Sequence, residues 1–128
     1  MYSDKTYLQA GAGWFVLSTI FLTLPGTSFP SENWLSVVNF DKIVHVSIFS
    51  GMVILFCWGI YKRSKNLGKK INTAFIICTL LAILYGVIIE YVQKYFIPNR
   101  SFDVTDIVAD SIGAIAGWIF SIRAYIKK

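Results

Sequence analysis

Long apolar runs separated by short polar segments dominate this chain. Residues 7–24, 43–61 and 71–89 contain no Asp, Glu, Lys or Arg, and each approaches the roughly 20 residues that cross a hydrocarbon core of about 30 Å. The third run is expected to stay helical to residue 92, past Glu90. A fourth helix is expected over 103–122, where Asp106 and Asp110 interrupt the first half before the apolar run from Ser111 to Ile122. The expected fold is therefore all-α: a single membrane domain over 1–128, built as a bundle of four transmembrane helices.

Composition agrees with the pattern. Of 128 residues, 55% are hydrophobic and 15% charged, and the mean hydropathy is +0.60, well above a soluble domain. Four spans and their connections use nearly the whole length, which leaves no room for a soluble catalytic domain.

The charges that remain set an orientation. Lys5, Lys62, Arg63, Lys65, Lys69, Lys70, Arg123, Lys127 and Lys128 fall on one side of the four-span layout, against Lys42, Lys94 and Arg100 on the other. Short loops rich in Lys and Arg stay in the cytoplasm, so both termini are expected there. The net charge of +5 is read as attraction to anionic lipid and not to nucleic acid, because the basic residues flank apolar segments. The expected place is the cytoplasmic membrane, with these basic residues on its inner face. The first run is longer than the apolar core of a secretory signal and is followed by no Ala-x-Ala pattern, so it is expected to be retained. Between Pro25 and Pro30 and beyond, Trp34, Leu35, Val37, Val38 and Phe40 suit a short interfacial helix, serving as an anchor or a lid.

Candidate chemistry lies at the opposite end from the basic residues. Asp41, Lys42 and His45 open the second helix, Glu90 and Gln93 close the third, and Arg100, Asp103, Asp106 and Asp110 lead into the fourth. Offsets of three and four put Asp103, Asp106, Asp110, Gly113 and Gly117 on one helix face, with the last acid roughly 10 Å deeper than the first. An ionised carboxylate facing lipid costs at least about 2.5 kcal/mol, so this stripe must face protein or a wet pocket. Arg100, whose guanidinium can hold two carboxylate oxygens at once, is the expected cationic partner.

Each residue also has a plain structural role. Asp41 and Asp103 suit helix N-caps, Lys42 can reach up to headgroups, a lone His45 is more often a satisfied helix residue than a base, and Gly113 with Gly117 suits close helix packing. Taken together, several ionisable groups from three helices at one depth exceed what a structural pair needs. Cys57 and Cys78 lie in apolar runs without metal-ligand spacing and are read as packing residues, with no disulfide framework or zinc site. No cofactor is expected; the acids are hard oxygen ligands suited to a divalent cation, but no spacing indicates one.

The elements Asp41-Lys42-x-x-His45-x-x-x-Phe49, Glu90-x-x-Gln93, Arg100-x-x-Asp103-x-x-Asp106 and Gly113-x-x-x-Gly117 resemble the VanZ-like family of small bacterial membrane proteins. The resemblance implies a membrane fold, a polar site and the family's association with resistance to teicoplanin, a glycopeptide antibiotic. Asp110 stands where that family's pattern commonly has asparagine. The preferred expectation is an outer-leaflet pocket for the headgroup of a membrane lipid, a lipid-linked cell-wall intermediate or a lipid-tailed glycopeptide, with Arg100, Lys42 and His45 on anionic groups. The rival is a hydrolase or transferase, metal-assisted or not, with His45, Glu90 and Asp106 as catalytic candidates. A third class is a small transporter or proton relay through Asp110, for which the chain would form a homo-oligomer.

Overall fold

A computed structural model describes residues 4–28, 40–64 and 67–127. The expected interfacial helix around Trp34 falls, apart from Phe40, outside them. Four long helices follow one another: α1 (Asp4–Leu22), α2 (Phe40–Arg63), α3 (Lys70–Phe96) and α4 (Val104–Ser121). A single 3-10 turn at Gly26–Ser28 follows α1, and a π-helical turn at Ile122–Ile126 extends α4. There is no strand among the described residues. The helices overrun the expected apolar limits mainly at their polar ends, because charged residues such as Lys62, Arg63 and Lys94 carry on the helix without needing to be in hydrocarbon.

Among the described residues, three helices are long and apolar enough to cross a membrane: Phe40–Arg63, Lys70–Phe96 and Val104–Ile126. The 19-residue α1, with Lys5 and Gln9 in its first half, is not among them. Burial is inverted relative to a water-soluble protein. Leu17, Leu80, Leu81, Leu84, Ile88 and Ile112 are more than half exposed, while His45, Glu90, Gln93, Asp106 and Asp110 are buried. Water would not tolerate such an apolar exterior; a bilayer would. Inside, Phe49, Val53 and Cys57 of α2 pack with Phe75 and Ala82 of α3 and Ala114 of α4.

The most extensive interface joins α2 to α4, and glycine makes it close. A Cβ on Gly113 would stand 2.5 Å from the Val46 carbonyl oxygen, and one on Gly117 would stand 2.7 Å from that of Ser50. Larger residues would hold the backbones apart, as small residues at membrane helix contacts generally avoid. Helix α1 lies on α2, where Trp14 Nε1–H donates to the Ile48 carbonyl (2.9 Å), and it reaches α3 through Thr19 and Tyr85, whose hydroxyl oxygens are 2.6 Å apart.

One end of the bundle gathers the C-termini of α1 and α3 with the N-termini of α2 and α4. Gln93 Nε2 donates to the Leu22 carbonyl (2.8 Å), Arg100 Nε to that of Leu24 (3.2 Å), and the Gly26 amide to that of Pro98 (3.1 Å). The reversal between α3 and α4 passes through Asn99 at φ 58°, a left-handed position that Asn tolerates better than most residues. At the other end Gly68, φ 49°, turns α2 into α3.

Candidate functional site

Three helices supply the polar end, each with a residue that its local sequence places inward. On α2, Lys42 and His45 lie three residues apart and share a face with the core residues Ile48 and Phe49. On α3, Gly86, Glu90 and Gln93 follow offsets of four and three along the buried face. On α4, Asp106, Asp110 and Gly113 do the same, and Asp103 caps the helix by accepting from the Thr105 amide at 2.8 Å.

Lys42 is the hub of the outer layer. Its ammonium bonds Asp41 Oδ2 (2.8 Å), Asp103 Oδ2 (2.9 Å) and Asp106 Oδ1, tying α2 to α4 across their N-termini. With Lys42 and the Thr105 donors against it, the Asp103 carboxyl is held down at about 2. Lys42 is therefore engaged with carboxylates and does not reach up to headgroups. It also occupies the role that sequence reasoning assigned to Arg100. The Arg100 Nε instead holds the Leu24 carbonyl, and burial pushes its guanidinium down from its usual range against the pull of the Asp106 and Glu90 charges. Asp41 lies inside the first turn of α2, with its side chain exposed.

Below this layer the groups are shielded from solvent. His45 is 4% exposed, and Glu90 and Asp110 are 0% exposed. His45 Nδ1 lies 2.7 Å from Asp110 Oδ1; with that carboxylate ionised the imidazole donates, which leaves Nε2 facing Asp106 Oδ2 at 3.7 Å. Glu90 Oε2 accepts from the Asp103 amide (3.1 Å), so the cap of α4 is clasped by α3. Glu90 and Asp110 thus each spend one oxygen on the protein. The others, Glu90 Oε1 and Asp110 Oδ2, are buried with no hydrogen-bond partner among the described residues.

Seven of the nine sequence-derived ligand candidates, Asp41, Lys42, His45, Glu90, Asp103, Asp106 and Asp110, meet in this two-layer network. Gln93 and Arg100 sit at its edge, where they hold the carbonyls at the end of α1. Sequence reasoning passed over Gly86, on whose missing Cβ the site depends: a methyl there would stand 2.8 Å from Asp110 Oδ2. The same three-and-four spacing used for α4 points to it, since Gly86 precedes Glu90 by one turn. Thr105, which binds Asp103 through both its amide and its hydroxyl, was also missed.

A helical bundle with a lipid-compatible exterior and buried ionisable groups at one end defines a polar-sited membrane protein. The sequence model of the VanZ/LLP1 family matches residues 6–125, and the chain belongs to that family. No curated protein and no solved structure matches it.

Proposed function

We propose that this protein spans the cytoplasmic membrane four times, termini inside, and binds the polar headgroup of a lipid-tailed ligand at its extracytoplasmic end. The observation that carries the reading is the convergence of His45, Glu90 and Asp110, one from each of three helices, in a buried layer beneath the Lys42–aspartate network. That is more ionisable chemistry than holding helices together requires. Its topology follows from the shared polar end: Lys62, Arg63, Lys69, Lys70 and Arg123 lie at the other end, and basic residues mark the cytoplasmic face. Helix α1 completes the fourth span because Leu22 and Leu24 sit level with Gln93 and Arg100.

Acidic groups outnumber cations at the site, and Lys42 is already committed to three of them. The headgroup is therefore one rich in donors, such as hydroxyl, amide or amine groups, and not a bare anion. A cavity of about 540 Å³ lies deeper along the bundle, lined by Phe15, Met52, Phe56, Ile77, Leu81 and Tyr85 among others. Its apolar walls suit an acyl chain, and Tyr85 lies about 7.5 Å along α3 from Glu90, a span that a lipid-tailed ligand would bridge. The ligand classes that fit are membrane lipids, lipid-linked cell-wall intermediates and lipid-tailed glycopeptides such as teicoplanin.

A second reading, hydrolysis or group transfer on such a ligand, is favoured by the His45–Asp110 pair. An imidazole held through Nδ1 by a carboxylate presents Nε2 for proton transfer, with Glu90 and Asp106 beside it. Protein in nanodiscs, titrated with fluorescent phosphatidylethanolamine and with teicoplanin, tests the main reading. Glu90→Ala and Lys42→Ala are expected to weaken binding at least about tenfold. Unchanged affinity in both folded variants would rule out the site, and release of a headgroup product would move the assignment to the enzyme.

A further inference from the structure

The two orphaned carboxylate oxygens ask for a partner that the described residues do not supply. Buried polar atoms are nearly always paired, and carboxylates in a membrane interior are paired or neutralised. Glu90 and Asp110 are each fully buried with one oxygen unpartnered. The nearby ammonium of Lys42 is bonded to Asp41, Asp103 and Asp106 and not to either of them. His45 joins them: one ligand atom from each of His45, Glu90 and Asp110 lies within 4.8 Å of the others.

We propose that His45, Glu90 and Asp110 form a site for a divalent transition-type cation. Two carboxylates and a neutral imidazole carry the charge that a divalent ion cancels. An imidazole nitrogen with two carboxylates is a donor set for Zn²⁺, Mn²⁺ or Co²⁺, whereas Mg²⁺ and Ca²⁺ prefer oxygen alone. Ligand bonds of about 2.1 Å place neighbouring donor atoms roughly 3.4 Å apart in a tetrahedral shell. The donor atoms, at most 4.8 Å apart, therefore need to close by no more than about 1.4 Å, a side-chain adjustment. Three protein ligands leave a coordination position open. Linear spacing gave no sign of such a site because each ligand comes from a different helix.

The outer cluster of Asp41, Asp103 and Asp106 also brings three acids together, but Lys42 already sits among them. Lys42 bonds none of the inner triad. The inference goes beyond headgroup binding and does not depend on it, because ion content is read with no headgroup ligand present.

The test uses full-length, untagged protein in detergent, loaded with Zn²⁺ and desalted, with metal measured by mass spectrometry. Loading with Co²⁺ adds a visible d–d spectrum that reports nitrogen and oxygen ligation. A Cys57→Ser/Cys78→Ser background removes adventitious thiol ligands. One ion per chain is expected there, with affinity at least about tenfold lower in Glu90→Gln, His45→Gln and Asp110→Asn. Circular dichroism and gel filtration report folding of each variant. An ion-free cysteine-less protein, or a Co²⁺ spectrum unchanged in a folded Glu90→Gln/Asp110→Asn variant, overturns the proposal. Headgroup binding to metal-free protein is scored separately, so the two readings fail independently.

Discussion

Gly113→Ala is the smallest change that tests how the site is held. A methyl at position 113 would stand 2.5 Å from the Val46 carbonyl oxygen and 2.9 Å from Val46 Cα, both backbone atoms that cannot rotate away. To reach ordinary van der Waals separation, α4 must retreat from α2 by roughly 0.5–1 Å. Overpacking of this kind costs about 1–3 kcal/mol. The damage is local to the chemistry, because Val46 adjoins His45 and Gly113 lies one turn below Asp110. The same retreat stretches the 2.7 Å contact of His45 with Asp110 past good hydrogen-bond length. The matched control is Gly13→Ala, where nothing lies within 4 Å of the added methyl. Thermal unfolding in detergent, followed by circular dichroism, should place Gly113→Ala clearly below wild type and Gly13→Ala at or above it. A Gly113→Ala protein as stable as Gly13→Ala would refute the close α2–α4 contact and the site geometry built on it.

Four further outcomes follow from the same contacts. Asp103 has a folded pKa of about 2 against an ordinary value of 3.8, so its stabilisation is complete above that ordinary value and fades as pH falls toward about 2; Asp103→Asn should flatten this part of the melting-temperature profile, and an unaltered profile would contradict it. Lys42→Met leaves Asp41, Asp103 and Asp106 without their shared cation, so the variant should be less stable than wild type at neutral pH and should regain ground on acidification; equal loss at all pH values would count against the hub. Asp110→Asn should fold normally, since the amide oxygen can still accept from His45, whereas Asp110→Leu should lower thermal stability by about 1–3 kcal/mol; similar melting of the two would deny the bond any weight. Finally, a cysteine at Ser31, outside the described residues, should react with an impermeant thiol reagent in intact cells and one at Ser64, at the end of α2, only after permeabilisation; the reverse labelling would invert the topology.

Much of this molecule is legible along one dimension. Hydropathy needs no partner to act, so the uncharged runs at 43–61 and 71–89 mark α2 and α3 directly. The acids of 103–110 were legible as residues that lipid excludes, and their three-and-four spacing named the buried face of α4 correctly. The run at 7–24 read as a span just as plainly, yet α1 is not among the helices long and apolar enough to cross, because Lys5 and Gln9 dilute its apolar stretch. What the sequence could not assign was which charge meets which. Pairing depends on the rotation and relative height of neighbouring helices, and these are set by packing: Gly113 seated on Val46 and Gly117 on Ser50 bring Lys42 level with Asp103 and Asp106, and His45 level with Asp110. Arg100 has the better chemistry for a carboxylate pair, yet the turn through Asn99 carries it to the end of α1 while Lys42 takes the aspartates. Whether a buried oxygen finds a partner is likewise a property of three helices at once. The unmatched oxygens of Glu90 and Asp110 emerge only once α2, α3 and α4 are packed together.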